Sequence, residues 1–262
     1  MRIRIIGAGR AGSSMARALK AVGHDVQGPL GRGFDPASAT DDVDVLLIAT
    51  GDDVIANVSR SISPSSTCVV LHLSGSLGLD VLATHPKRGA LHPLVPLPTV
   101  DTGAARLLSG CTFAVAGDSI AEELVASLGG RTVAVADADR ARYHAAACIA
   151  ANHVVAMLGQ VERVAASAGL PLDAFLDLTR AAVDDVALLG PRSALTGPAV
   201  RGDWATLQRH LDAIDPAEHA GYRAGVGLAL ELTADELVLV EAEEPADDMP
   251  EVRNPPVPLL AV

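Results

Sequence analysis

At 262 residues the chain has room for one large domain or two of ordinary size, and its 49% hydrophobic content with only 2% aromatic means a core of Ala, Val, Leu and Ile. A net charge of −12 argues against nucleic acid or an anionic membrane face as partner, while a small anionic cofactor can still be met by a few local positive groups. Cys68, Cys111 and Cys148 have neither metal-ligand nor redox-motif spacing, which fits reduced thiols in a cytoplasmic protein.

A strand is expected at "RIRII" (2–6), then the loop "GAGRAG" and a helix over "SSMARALKAVG". Because a strand begins at residue 2, no signal peptide is expected, and no stretch of ~18 apolar residues predicts a membrane span. "HDVQGPL" reads as the second strand and the apolar "VDVLLIAT" (43–50) as a strand covered on both faces. Helix follows at "DDVIANVSRSI", strand at "TCVVLHLSG", helix at "SLGLDVLAT" and strand at "GALHPLV". "CTFAVAG", "SIAEELVASLG" and "RTVAVA" continue the alternation to about residue 136, which indicates an α/β domain with a parallel sheet and helices on both faces. Beyond that point only helical periodicity remains, over 139–168, 172–189, 203–213 and 216–240. The expected organisation is a sheet domain over 1–137, a helical domain over 138–241 and a flexible tail over 242–262, rich in acids and prolines.

The loop Gly7-Ala8-Gly9-Arg10-Ala11-Gly12 has the G-x-G-x-x-G spacing between the first strand and first helix. There Gly7 permits the tight turn, Gly9 lets a pyrophosphate approach the backbone, and Gly12 lets the helix pack on the strand with its N-terminus toward the phosphates. A dinucleotide site is therefore expected. An NAD site usually has an acid at the end of the second strand; Arg32 stands there and favours NADP, whose 2′-phosphate it can pair, while Asp35 would read NAD. Ligands in such sheets lie beyond the carboxyl ends of the strands, here Thr50 with Asp52, then Ser74 and Gly75, then His92. Thr50 and Asp52 have capping as the competing role, and His72 reads as a hydrogen-bonded core histidine.

In "ARYHAAACIAANHV" (141–154), His144, Cys148 and Asn152 lie four apart on an alanine-rich helix, a slowly drifting stripe of roughly 80°. Facing a substrate, His144 can exchange a proton and Asn152 can orient a carbonyl; the competing reading is a polar helix contact. His153 falls on the opposite side. Zinc is not expected, since His144 and Cys148 have no further ligands in view. In "LTGPAVRGDWATLQRHL" (195–211), Asp203 is placed to cap the next helix and Arg201 to anchor a carboxylate.

On "GAGRAG", "LHLSG", "LHPL", "YHAAACIAANH" and "LTGPAVRGD" the chain resembles Rossmann-like proteins with a C-terminal domain of unknown function (number 2520), in the wider 6-phosphogluconate dehydrogenase-like group with ketopantoate reductase and pyrroline-5-carboxylate reductase. The resemblance implies a Rossmann domain, a helical second domain that commonly forms a homodimer, and an NADP-dependent oxidoreductase acting on a small molecule. Two departures stand out. Many relatives in the wider group place a catalytic lysine four residues before the helix asparagine, where this chain has Cys148, so that either His144 does the proton work or none is done. Only ten steps separate Arg32 from Asp42, too few for the usual connecting helix. The leading expectation is hydride transfer to or from a small carbonyl, imine or hydroxy acid; the rival is a non-catalytic dinucleotide-binding sensor or partner protein.

Overall fold

The computed structural model describes residues 1–241, so the tail expected over 242–262 lies outside the described residues. Seven strands form one sheet in the order β2-β1-β3-β4-β5-β6-β7. They are β1 (Arg2–Ile6), β2 (Asp25–Leu30), β3 (Val45–Ile48), β4 (Val69–His72), β5 (Arg88–Pro93), β6 (Thr112–Gly117) and β7 (Arg131–Ala134). Strand residues alternate between faces, and two cores result. Ile3, Ile5, Leu47, Leu71, Leu91 and Phe113 meet Met15 and Leu19 on one face; Ile6, Leu46, Ile48 and Val70 meet Ile55 and Leu82 on the other. A sheet covered on both faces explains the continuous apolar run of β3.

Helices α1 (Arg10–Ala21) and α2 (Asp52–Ser61) follow β1 and β3 as expected. Three features depart from the expectation. The helix expected at 76–84 is a single 3-10 turn, Leu79–Leu82. Helix α3 (Val100–Leu107), capped by the Thr99 side chain accepting from the Thr102 amide, joins β5 to β6. With α3 packed on α1 through Gly103 against Ser14, the chain re-enters at the carboxyl end of β5, so β6 pairs antiparallel with β5. The sheet is thus parallel at every other step. Helix α4 (Ile120–Ser127) then leads to β7.

No helix fills the stretch between β2 and β3. Arg4 holds it instead, donating to the carbonyls of Ser38 (2.6 Å) and Ala39 (2.9 Å) and to Gln27 Oε1 (3.0 and 2.6 Å).

From Asp137 a continuous helical run reaches Ser167: a 3-10 turn, α5 (Arg140–Cys148), a π-turn over Ile149–His153 and α6 (Val154–Ser167). Among the described residues it is the one helix with the length and mean hydropathy of a membrane span, where the sequence had led us to expect none. It qualifies by length and composition only, and it carries Arg140, which is 1% exposed. The chain divides into two compact units, Met1–Val155 and Ala156 onward. The second contains α7 (Asp173–Leu189), the short α8 (Pro191–Ala194), α9 (Trp204–Ala213) and α10 (His219–Glu241). Within it Arg163 forms a two-point ion pair with Glu218 (2.5 and 3.0 Å), and Asp203 caps α9 by accepting from the Thr206 amide.

Candidate functional site

The turn from β1 into α1 is shaped by three glycines under different demands. Gly7 has φ +113°, a region side chains rarely adopt, and a Cβ there would strike the Ala49 carbonyl. A Cβ on Gly12 would strike the Gly7 carbonyl, so this glycine sets the helix-to-strand approach. Gly9 is different: its φ is −75° and a Cβ would meet nothing within 4 Å. Neither packing nor backbone requires glycine there. What Gly9 keeps clear is the floor of a cavity of about 540 Å³, lined also by Gly7, Ala8, Arg32, Thr50 and Gly51.

This cavity has the features of a phosphate cradle. Gly9 is the N-cap of α1, with no side chain capping the helix amides and no acid in the first turn, leaving N–H donors and the positive end of the helix toward the space. Arg10 and Ala11 open that first turn. Thr50 Oγ1 is buried without a hydrogen-bond partner. Arg32 lines both this cavity and an adjoining one of about 310 Å³ that includes Asp35. The Asp35 carboxylate is turned into its own loop, accepting from Ser38 Oγ (2.8 Å) and the Ala37 amide (3.0 Å), bonds that hold its pKa below the usual carboxylate value. Arg32 makes no hydrogen bond or ion pair among the described residues. These residues fit a dinucleotide diphosphate.

Beyond β3, Asp52 on the first turn of α2 does not cap that helix; the N-cap is Gly51, with no side-chain bond. Its Oδ2 accepts from both Ser74 Oγ and Ser76 Oγ at 2.7 Å, so the Ser74 hydroxyl is occupied inside the fold. His72 is 0% exposed, its Nε2 3.3 Å from the Gly78 carbonyl and its Nδ1 accepting from the Ser74 amide at 3.2 Å. That is the core histidine expected. Burial, then the neighbouring Arg140 charge, lowers its pKa to about 4.

A second cavity, of about 460 Å³, is walled by the end of β5 and the helix that begins α5. His92, His144, Cys148 and Asn152 supply its polar surface, and Pro93, Leu94, Val95, Ala147, Ala151 and Val155 much of the rest. The expected stripe is therefore assembled on one wall. The π-turn contributes: it winds less per residue than an α-helix and so opposes the drift that separates Asn152 from His144. His153 is exposed and does not line the cavity.

Gly75 seats the two histidines. A Cβ on it would lie 2.8 Å from His144 Cδ2 and from His92 Cε1 and Nε2, and the rings meet edge to face with centroids 6.0 Å apart. His144 Nε2 lies 3.9 Å from Cys148 Sγ. Tyr143, which the sequence reading passed over, places its hydroxyl 2.6 Å from His92 Nδ1. Burial, then His144 and Arg140, depress the His92 pKa to about 4, and burial raises that of Tyr143 to about 12. Arg140, 3.4 Å from the Ser74 carbonyl, was also missed; its Nε and Nη2 are buried without partners. Arg201 is exposed in the turn before α9, while the cavity walls belong to the first unit. No group of metal-ligating side chains occurs among the described residues.

Residues 111–227 match the model of Domain of unknown function (DUF2520), from the start of β6 into α10. None of the curated proteins matches the chain. Among solved structures, a Bacteroides fragilis protein assigned as an NADP oxidoreductase is similar, with TM-score 0.73, 21% identity and coverage of 88% of this chain and 98% of that one. Protein TM1727 of Thermotoga maritima has TM-score 0.67 at 20% identity, covering 90% of this chain and 99% of its own. A reductive aminase from Aspergillus terreus, in complex with NADPH4, cyclohexanone and allyl amine, has TM-score 0.63 at 18% identity, covering 92% and 94%. The likeness is one of fold: a Rossmann-type sheet followed by helices, with a DUF2520 region.

Proposed function

We propose that this Rossmann-like chain with a DUF2520 region is an NADP-dependent oxidoreductase acting on a small carbonyl or imine compound. The observation that carries the reading is Gly9, a glycine with ordinary φ and open space above it, on the floor of a cavity that also holds the unpaired Arg32. The similar Bacteroides fragilis protein and the Aspergillus terreus aminase, both tied by description to NADP(H), support it.

When bound, the cofactor supplies hydride exchange. The residues of this chain bind, orient and handle the proton. Gly7 to Gly12 and the first amides of α1 hold the diphosphate, and Arg32 pairs the 2′-phosphate. Asp35, its oxygens already hydrogen-bonded, leaves the choice of nucleotide to Arg32. In the second cavity His144 exchanges the proton at the reacting oxygen or nitrogen, and Asn152 orients that group by hydrogen bonding. Leu178, Val183 and Leu188 on α7, exposed by 69%, 60% and 80%, support a homodimer closed through the helical unit.

Loss of reduced-nicotinamide absorbance over a panel of carbonyls and imines tests the activity. Turnover is expected, with His144→Ala abolishing it while NADP affinity is kept. NADP binding without turnover of any panel compound favours the dinucleotide-binding sensor instead.

A further inference from the structure

The hydroxyl of Tyr143 and Nδ1 of His92 are 2.6 Å apart, and the phenol proton has no other acceptor among the described residues. If the ring donated from Nδ1, the phenol proton would find no acceptor among the described residues; if the phenol donates, both groups are satisfied within the protein. A neutral His92 then carries its own proton on Nε2. Nε2 makes no hydrogen bond to the protein and is absent from the buried unpartnered atoms, so it remains open at the cavity edge beside Gly75. Gly75 leaves room for this placement, since a Cβ there would lie only 2.8 Å from His92 Nε2 and from His144 Cδ2.

We propose that Tyr143 fixes His92 as its Nε2–H tautomer, and that this N–H is the hydrogen-bond donor gripping the oxygen of an uncharged carbonyl substrate in the second cavity. The role deepens the oxidoreductase reading and rests on it for the substrate. His92 polarises the carbonyl and keeps its proton; His144, at the same end of the cavity, is the group that exchanges one. The walls suit an uncharged molecule with an apolar body, since they carry no Lys or Arg and include Pro93, Leu94, Val95, Ala147 and Val155. The charged and titratable groups around His92 are His144 and Arg140 of α5, Asp52 of α2 and His72 of β4; with Tyr143 they leave His92 neutral where enzymes ordinarily work.

Two-bond proton–nitrogen correlation spectra of the full chain labelled with ¹⁵N-histidine test the tautomer without any substrate, with His92→Gln identifying the signal. The expected result is a neutral ring protonated at Nε2 from pH 5 to 8. A ring protonated at Nδ1, or an imidazolium within that range, overturns the proposal. With a carbonyl turned over by the enzyme, His92→Ala should lower kcat ~100-fold and leave NADP affinity unchanged. Tyr143→Phe should lower kcat about tenfold, and His92→Gln, which keeps an N–H donor, should retain more activity than His92→Ala. Wild-type kcat in both Tyr143→Phe and His92→Ala overturns the donor role. The spectrum decides the tautomer even if no substrate is turned over, so failure of hydride transfer and failure of this assignment are distinguishable.

Discussion

Asp52, on the first turn of α2, accepts hydrogen bonds from Ser74 and Ser76 beyond β4, both at 2.7 Å. One carboxylate thus ties together the carboxyl ends of the neighbouring strands β3 and β4. Asp52→Ala leaves the Ser74 hydroxyl, in a residue only 5% exposed, with a lost charge-assisted partner. A loss of ~1–2 kcal/mol in chemical denaturation is expected, with Asp53→Ala near neutral as the control.

The three loop glycines separate stability from binding. Gly12→Val drives a side chain into the Gly7 carbonyl and should cost ~1–3 kcal/mol or prevent folding. Gly9→Val meets open space, so its melting temperature should stay within about 2 °C of wild type. Equal destabilisation of the two variants would mean that Gly9 is there for packing.

Much of this was legible in the sequence because local periodicity and local turns dictate it. The glycine spacing located the turn between β1 and α1, and the helical repeat located α6, α7, α9 and α10. The four-residue spacing placed His144, Cys148 and Asn152 on one wall. What escaped depends on partners distant in the chain. Asp52 reads as a cap beside its own helix, and only the fold brings Ser74 to it. The helix expected at 76–84 is cut to one turn, because the Ser74 hydroxyl accepts from the amides of Ser76 and Leu77 and starts the segment as a loop. The reversal at β6 follows from α3 packing on α1, and Tyr143 gains meaning only once β5 delivers His92 to it. A signal for α3 was present in Thr99, which has the side chain of an N-cap.

Arg32 should discriminate between the two nucleotides. Arg32→Ala removes the cation that lines both cavities at the glycine turn and should weaken NADP by ~10–100-fold, while NAD affinity changes little. Equal weakening of both in fluorescence titrations of Trp204 or by calorimetry would show that Arg32 does not contact a 2′-phosphate.

The buried His72 makes stability fall in mild acid. Its folded-state pKa is about 4 against an ordinary 6.5, so the unfolded chain takes up a proton first as pH falls. Its contribution is intact above pH 6.5, is lost progressively as pH falls from 6.5 to 4, and reaches at most of the order of 3 kcal/mol. His72→Gln should therefore show a shallower drop in melting temperature across that window. Curves that run parallel for variant and wild type would contradict the buried neutral imidazole.

Isothermal calorimetry of NADP against wild type and Gly9→Val tests the cradle most directly. The account predicts measurable binding by the folded wild-type chain and none by an equally folded Gly9→Val. No binding by wild type, or unchanged affinity in the variant, would contradict it.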